Sequence, residues 1–157
     1  MSDHCPQDGG FIGSCGCTHP NHEHSELVKG LLEDAATPRK ISVEKADAAL
    51  SEGFYVTAKD GRTRVGFGRD LKDHIELEAH GEKDIAARKS ALLYAMNAVQ
   101  TTPPVETDHR GIAGRKRYVR MMDDGNAVVV WSDKEGKDAD KVFTLRPDRR
   151  EGRRQGK

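Results

Sequence analysis

Hydrophobic residues recur along this chain first at helical and later at strand spacing. In the first two thirds, apolar residues repeat every three or four positions, which predicts amphipathic helices. We predict four helices, at about residues 26–36, 42–52, 70–80 and 82–101. Ser25 and Ser42 are suitable N-caps for the first two. Pro103-Pro104 ends the longest, because proline cannot continue a helix.

Strand patterns fill the remaining segments. Residues 54–58 and 63–67 are rich in β-forming residues and flank an Asp-Gly pair, which is typical of a β-hairpin. Three further strands are predicted after the long helix, at about residues 117–121, 127–132 and 141–145. A second Asp-Gly pair and a Lys-Glu-Gly run at 134–136 supply the turns. Short turns favour an antiparallel meander, and helices followed by a sheet indicate an α+β fold.

The composition limits how much of the chain can form a hydrophobic core. Only 35% of the 157 residues are hydrophobic and 33% are charged, which favours one compact domain with polar ends. The predicted organisation has four parts: a flexible Cys/His-rich arm at residues 1–25, a short helix and linker at 26–40, an α+β domain at 41–146 and a basic tail at 147–157.

Charge is distributed unevenly, although the formal net charge is zero. Residues 110–157 contain 14 Lys and Arg against 8 Asp and Glu, a balance of +6, and the remainder contains 12 against 18, a balance of −6. A basic C-terminal segment can attract a polyanion such as nucleic acid. The simpler interpretation of Arg149-Arg150 and Arg153-Arg154 is a solvated basic tail.

Neither a membrane segment nor a secretory signal is predicted. The apolar run Ala127–Trp131 is far shorter than the roughly 20 residues needed to span a bilayer. The N-terminus lacks a basic region followed by an apolar stretch. Three cysteines, an odd number without a signal peptide, argue against a disulfide framework and for a reducing compartment such as the cytoplasm.

The cysteines belong to a cluster of six candidate zinc ligands near the N-terminus: Cys5, Cys15, Cys17, His19, His22 and His24. Zinc prefers four thiolate or imidazole ligands in a tetrahedron. However, the Cys-x-Cys-x-His spacing is tighter than the usual pair of ligands, and no second pair follows it. An arm with adventitious metal affinity is therefore favoured over a structural zinc site, and no cofactor is expected.

Three histidines in the predicted domain are candidates for proton transfer, because histidine titrates near neutral pH. His74 is predicted at the edge of the apolar face of its helix, where a side chain can point into a cleft. His80 is more simply a helix-end residue. His109, in a polar loop, is placed where it could approach a substrate. Each of the three also has the simpler interpretation of an ordinary surface histidine.

A run of basic residues coincides with the first strand of the meander, Arg115-Lys116-Arg117-Tyr118-Val119-Arg120. Strand alternation places Arg115 and Arg117 on one face and Lys116, Tyr118 and Arg120 on the other. Arginine binds phosphate oxygens with a planar pair of donors, and tyrosine can stack on a base. Thr144, on the last strand, is a candidate hydroxyl donor. The alternatives are a charged edge strand that resists aggregation and a threonine present for its β-propensity.

Five features resemble the phage-associated barnase–EndoU–colicin–RelE-like nuclease domains: His74-Ile75 on a helix, the segment Thr101–Pro104, the basic Tyr-containing run at 114–120, Val128–Val130 and Thr144. The resemblance covers about residues 53–146. It implies a metal-independent RNase fold with helices before a four-stranded antiparallel sheet. It also carries active-site roles onto His74, Arg117 and Thr144. The chain departs from the family pattern where Asn-Pro-Asp often follows the long helix and where paired tyrosines are common.

The sequence therefore leads to three hypotheses. The first is a cytoplasmic or phage-associated endoribonuclease-like domain of the toxin type, which cleaves RNA by acid–base transesterification and has an immunity or phage structural protein as a partner. Its predicted catalytic residues are His74, Arg117 and Thr144, and its predicted substrate contacts are Arg115, Lys116, Tyr118, Arg120 and His109. The second is a non-catalytic phage accessory protein that binds nucleic acid or a host factor through the basic sheet. The third is a zinc-containing interaction module.

Overall fold

The computed structural model of the chain describes residues 25–107 and 114–155. The helices in these residues are α1 (Glu26–Asp34), α2 (Val43–Glu52), α3 (Arg69–Glu78), α4 (Glu82–Ser90), α5 (Leu92–Thr101) and α6 (Arg149–Gln155). The strands are β1 (Phe54–Thr57), β2 (Arg64–Phe67), β3 (Val105–Thr107), β4 (Arg115–Met121), β5 (Ala127–Gly136) and β6 (Ala139–Asp148). The candidate zinc ligands and His109 lie outside the described residues.

These strands form one mixed sheet with the order β1-β2-β6-β5-β4-β3. Neighbouring strands are antiparallel except for β2 and β6, which are parallel. The α+β class is confirmed, but the expectation of a four-stranded antiparallel sheet is wrong. The β1–β2 hairpin extends the meander by pairing with β6, and residues 105–107, expected in a loop, pair with β4 as β3. Both additions satisfy backbone groups that an edge strand would leave unpaired.

The hairpin and the meander form nearly where the sequence pattern placed them. β1 and β2 pair from Phe54–Phe67 to Thr57–Arg64, around a turn in which Gly61 has φ 74°. A side chain is disfavoured at this φ, so the turn favours glycine. The turn expected at residues 134–136 is wrong, because β5 continues to Gly136 and the chain reverses at 137–138. Asp138 has φ 57°, a conformation that aspartate tolerates better than most residues.

The helix starts follow the predicted caps, whereas the predicted long helix is divided. The Oγ atoms of Ser25 and Ser42 accept hydrogen bonds from Val28 N and Lys45 N, each at 3.2 Å. The expected helix at 82–101 breaks at Ala91, where φ is −87° and ψ is 8°. The two halves have different surroundings, because α5 is buried on nearly all sides while α4 is largely polar and contacts α2 and β6.

α5 lies against one face of the sheet and forms the centre of the hydrophobic core. It contacts β1, β4 and β5. From β4, β5 and β6, this core contains Tyr118, Val128, Val130, Val142 and Leu145. Burying a Val or Leu side chain fully contributes about 1.5–3 kcal/mol, so this packing stabilises the fold strongly. We call this side of the sheet the core face and the opposite side, which carries Arg117 and Trp131, the second face.

Three helices border the second face. Two of them, α3 and α4, contact β6. Strand β2 pairs with the same strand only from Arg64–Ala139 to Gly66–Lys141. Residues 149–155, part of the predicted basic tail, form α6, which contacts β4 and β5. α6 approaches the β4–β5 turn so closely that a Cβ on Gly152 would overlap the carbonyl oxygen of Gly125 and lie 2.8 Å from Asn126 Cα. In the described part of the chain, no helix is long and apolar enough to cross a membrane.

Candidate functional site

The basic strand β4 divides its side chains between the two faces of the sheet. Successive residues of a strand point in opposite directions, so Arg115 and Arg117 share the second face while Lys116, Tyr118 and Arg120 share the core face. The side chains of Arg115 and Arg117 are 12% and 26% exposed. The predicted substrate contacts are therefore not all on one surface.

The core-face members of β4 support the fold. Tyr118 is 1% exposed, which leaves no ring surface for a base to stack on. Burial raises the pKa of its hydroxyl, so the group stays neutral. Lys116 donates to the buried carboxylate of Asp140 at 2.8 Å. Arg120 donates to Asn97 Oδ1 on α5 and lies over the Tyr94 ring, with 5.5 Å between its Cζ and the ring centroid. The structure therefore places these three residues away from the second face.

Arg115 and Arg117 pack on aromatic rings of the second face. The Cζ of Arg115 lies 4.4 Å from the centroid of Phe143, and its Nε donates to Asp133 Oδ1 at 2.7 Å. The Cζ of Arg117 lies 6.0 Å from the centroid of Trp131. A guanidinium over an aromatic ring gains a cation–π attraction, and here the N–H groups also donate to Asp133 and Glu151. Both side chains are therefore held in fixed positions on this surface.

α3 brings a histidine and a carboxylate to the same surface. Leu71 and Ile75 are fully buried, so the stripe of α3 that includes His74 and Glu78 borders β6. The His74 ring meets the ring of Phe143 edge-on, with centroids 5.9 Å apart and planes at 85°. Its Nε2 lies 3.0 Å from Glu78 Oε2, one helical turn further along.

Glu78 connects His74 with two further residues. Its Oε1 accepts hydrogen bonds from Arg88 at 2.8 Å and from the Thr144 hydroxyl at 3.3 Å. Burial alone raises the pKa of Glu78, but the hydrogen bond from Arg88 and the charge of His74 outweigh it, and the net pKa is lowered. The carboxylate is therefore ionised at neutral pH. It fixes the His74 ring and is a poor proton acceptor itself.

The three predicted catalytic residues thus lie on one face of the sheet, although Thr144 is buried at 7% exposure. His74 and Thr144 meet through Glu78, and Arg117, Trp131 and Thr144 occupy one row across β4, β5 and β6. Neighbouring strands are about 4.8 Å apart, so Arg117 and Thr144 are separated by roughly 10 Å along this row. That distance is bridged by Trp131. We call the group of His74, Glu78, Thr144, Arg115 and Arg117 the second-face site.

The charges of the second-face site are nearly balanced. Arg88 pairs with Glu78, Arg115 with Asp133, and Arg117 with Glu151 on α6. An anionic ligand would therefore share or displace these carboxylates. Among the described residues, no group of three or more His, Cys, Asp or Glu side chains is arranged to hold a metal ion.

Sequence reasoning missed four members of this surface: Glu78 as the partner of His74, Arg88, Asp133 and Glu151. Only Glu78 carried a readable signal, because a histidine and a glutamate four positions apart on a helix face each other. The contacts of the other three join residues far apart in the chain. The substrate contact predicted for His109 stays a prediction, because that residue lies outside the described segments.

No protein-family model, characterised protein or solved structure shows significant similarity to this chain.

Proposed function

We propose that the chain is a metal-independent endoribonuclease-like domain of the phage or prophage toxin type, which cleaves RNA at the second-face site. The observation that carries the proposal is the hydrogen-bonded pair of His74 and Glu78 on the same face of the sheet as the guanidinium groups of Arg115 and Arg117. A proton-transfer group and fixed guanidinium groups are the parts that RNA transesterification requires. The resemblance to barnase–EndoU–colicin–RelE-like nucleases supports the same assignment.

The Glu78 carboxylate selects the chemically useful form of His74. In the neutral imidazole, one ring nitrogen carries a proton and the other accepts one. Because Nε2 faces an ionised carboxylate, the proton resides on Nε2 and the lone pair on Nδ1. Nδ1 then serves as the general base, and Glu78 stabilises the positive charge that the ring gains. Such a base contributes roughly 10²–10⁴-fold to the rate.

The proposed reaction begins when His74 removes the proton from a ribose 2′-hydroxyl. The 2′-oxygen then attacks the adjacent phosphorus, a new P–O2′ bond forms and the P–O5′ bond breaks. The leaving 5′-oxygen takes a proton from solvent, and the products carry a 2′,3′-cyclic phosphate and a 5′-hydroxyl. Arg115 and Arg117 neutralise charge on the phosphate oxygens, and Thr144 offers its hydroxyl beside Glu78.

Cleavage of a mixed RNA pool in EDTA tests this proposal. The native chain should produce 2′,3′-cyclic phosphate ends, and His74→Ala should lose at least 100-fold in rate, from the contribution of one base. His80→Ala is the matched control, because His80 is an exposed histidine that lies two residues beyond the end of α3. Equal activity in the His74 and His80 variants would contradict the assignment, as would EDTA-dependent loss of all cleavage.

A non-catalytic nucleic-acid-binding module is the second candidate. One observation favours it over catalysis: Arg115 and Arg117 are already paired with Asp133 and Glu151, so neither can stabilise a transition state without displacing a carboxylate. This candidate predicts binding that weakens steeply with salt and no cleavage under any condition. The RNA cleavage assay separates the two, because only the nuclease leaves cyclic phosphate ends.

A further inference from the structure

We infer that α6 and the β4–β5 turn form a second phosphate-binding subsite, which holds the backbone of a single-stranded RNA outside the second-face site. This inference rests on the proposed function for the identity of the polyanion. The juxtaposition that carries it is a cavity of about 390 Å³ lined by Arg149 and Arg153 of α6 and by Asp124, Gly125 and Asn126 of the turn.

α6 is a fixed element even though its sequence is that of a basic tail. Its backbone packs against the turn at Gly152, where there is no room for a Cβ. On another side of the helix, the carboxylate of Glu151, 6% exposed, bonds to Arg117 and to Arg154. Two independent contacts therefore hold the helix on the sheet. The docked helix therefore holds Arg149 and Arg153 one turn apart at the cavity.

The two arginines that line the cavity lack a carboxylate partner. Among the described residues, neither Arg149 nor Arg153 makes a hydrogen bond or an ion pair. The one acidic residue of the lining, Asp124, is already neutralised, because Lys40 lies 2.7 Å from its Oδ2. Burial alone raises the pKa of Asp124, but the hydrogen bonds from Lys40 and Asn126 outweigh this effect, and the net pKa is lowered. The ion pair therefore persists at neutral pH. The cavity therefore has an excess of positive charge.

A phosphodiester suits this arrangement better than a carboxylate or a neutral ligand. Two guanidinium groups on adjacent turns offer several planar N–H donors, which match phosphate oxygens. The cavity is open and polar, so a backbone can pass through it without burying bases. Glu151 and Arg117 connect α6 directly to the second-face site, so one strand can contact both.

Binding of a non-cleavable strand tests the subsite separately from catalysis. The probe is a fluorescently labelled 2′-O-methyl RNA of about twelve nucleotides, and the measurement is anisotropy against salt concentration. Each phosphate contact with a single strand contributes about 0.7 to the slope of log K against log salt. The double variant Arg149→Gln/Arg153→Gln should therefore flatten the slope by about 1.4. As a result, its loss of affinity relative to the native chain should be about sevenfold larger at 50 mM salt than at 200 mM salt.

The matched control removes two positive charges elsewhere. Lys45 and Lys59 are exposed, and their side chains make no ion pair within the described segments. Lys45→Gln/Lys59→Gln should bind like the native chain, and Arg149→Lys/Arg153→Lys should keep the native salt slope, because both positive charges remain. An unchanged slope in the Arg149→Gln/Arg153→Gln variant would overturn the subsite. So would an equal loss of affinity in the Lys45→Gln/Lys59→Gln control.

The outcomes also separate this inference from the proposed nuclease activity. Weakened binding by Arg149→Gln/Arg153→Gln in a chain that never cleaves RNA would support the subsite and reject the nuclease. Normal binding by that variant, in a chain that cleaves RNA, would support the nuclease and reject the subsite. Arg149 and Arg153 are exposed, so the substitutions should leave the melting temperature unchanged and a loss of binding cannot be attributed to unfolding.

Discussion

Replacing Glu78 by glutamine removes one negative charge next to the proposed base and preserves the shape of the side chain. Glu78 Oε2 lies 3.0 Å from His74 Nε2. At this distance, a unit charge pair is worth about 1.4 kcal/mol at the dielectric constant of water and about 5.5 kcal/mol at an effective value of 20. The side chains of His74 and Glu78 are 36% and 44% exposed, so solvent screening reduces the energy to about 1 kcal/mol, the upper end for exposed ion pairs.

We therefore take about 1 kcal/mol as the charge stabilisation that Glu78→Gln removes from His74 when the ring gains a proton. This corresponds to a rate loss of roughly fivefold. The effect should appear in kcat with little change in KM, because Glu78 acts through His74 and does not contact the phosphate. Stability should fall by about 1 kcal/mol or less, since glutamine still accepts from Arg88 and Asp84 remains 3.5 Å from Arg88 Nε.

The assay is steady-state cleavage of a defined RNA with thermal unfolding measured in parallel. Asp73→Asn is the matched control, because it removes the same charge from the preceding turn of α3. Asp73 is exposed and makes no hydrogen bond or ion pair among the described residues. Cleavage by Glu78→Gln within twofold of the native rate, while Asp73→Asn is also unaffected, would refute the assignment of Glu78 as a positioning residue.

Three further predictions concern separate parts of the structure. Arg117→Gln should raise KM for RNA about tenfold through loss of a phosphate contact, whereas Arg150→Gln, an exposed arginine on α6, should change KM less than twofold. Lys89→Met should lower the free energy of unfolding by about 1–3 kcal/mol in urea titrations, because the 3% exposed Lys89 side chain neutralises two carboxylates. The hydrogen bond with Lys89 lowers the pKa of Glu76, so Glu76 stabilises the fold above its unfolded pKa near 4.5. The pKa of Lys89 is raised, so the stabilisation from Lys89 persists to above pH 10.5. The difference between native and variant should therefore be constant from about pH 6 to 9 and shrink as the pH falls below 4.5. Tyr118→Phe should leave RNA cleavage unchanged and alter stability by less than about 1 kcal/mol, since the Tyr118 ring is in the core; a tenfold loss of cleavage would instead restore the predicted contact with a base.

The sequence predicted the elements whose local pattern is strong and missed those that depend on tertiary contacts. The helices capped by Ser25 and Ser42 and the 54–67 hairpin appear as expected, because periodicity and capping are local properties. β3 has only three residues and is separated in the sequence from its partner β4, so no local pattern could reveal it. α6 has no apolar face in its sequence, and it docks through Gly152 and Glu151.

The candidate site shows the same division. Strand alternation correctly separated Arg115 and Arg117 from Lys116, Tyr118 and Arg120. It could not tell which group faces outward, because a tyrosine flanked by cations suits both a nucleic-acid surface and a core with buried ion pairs. That choice is made by α5, which packs on the core face.

The most direct test of the central claim is cleavage of a DNA oligonucleotide that contains one ribonucleotide, in EDTA, with the products identified by mass. The account predicts a single cut after the ribonucleotide, a 2′,3′-cyclic phosphate on the 5′ fragment and a 5′-hydroxyl on the other. The cut should disappear in His74→Ala. Cleavage of an all-DNA strand at the same rate would contradict attack by a 2′-hydroxyl. No cleavage of either strand, or of an all-RNA control, would contradict a nuclease at the second-face site.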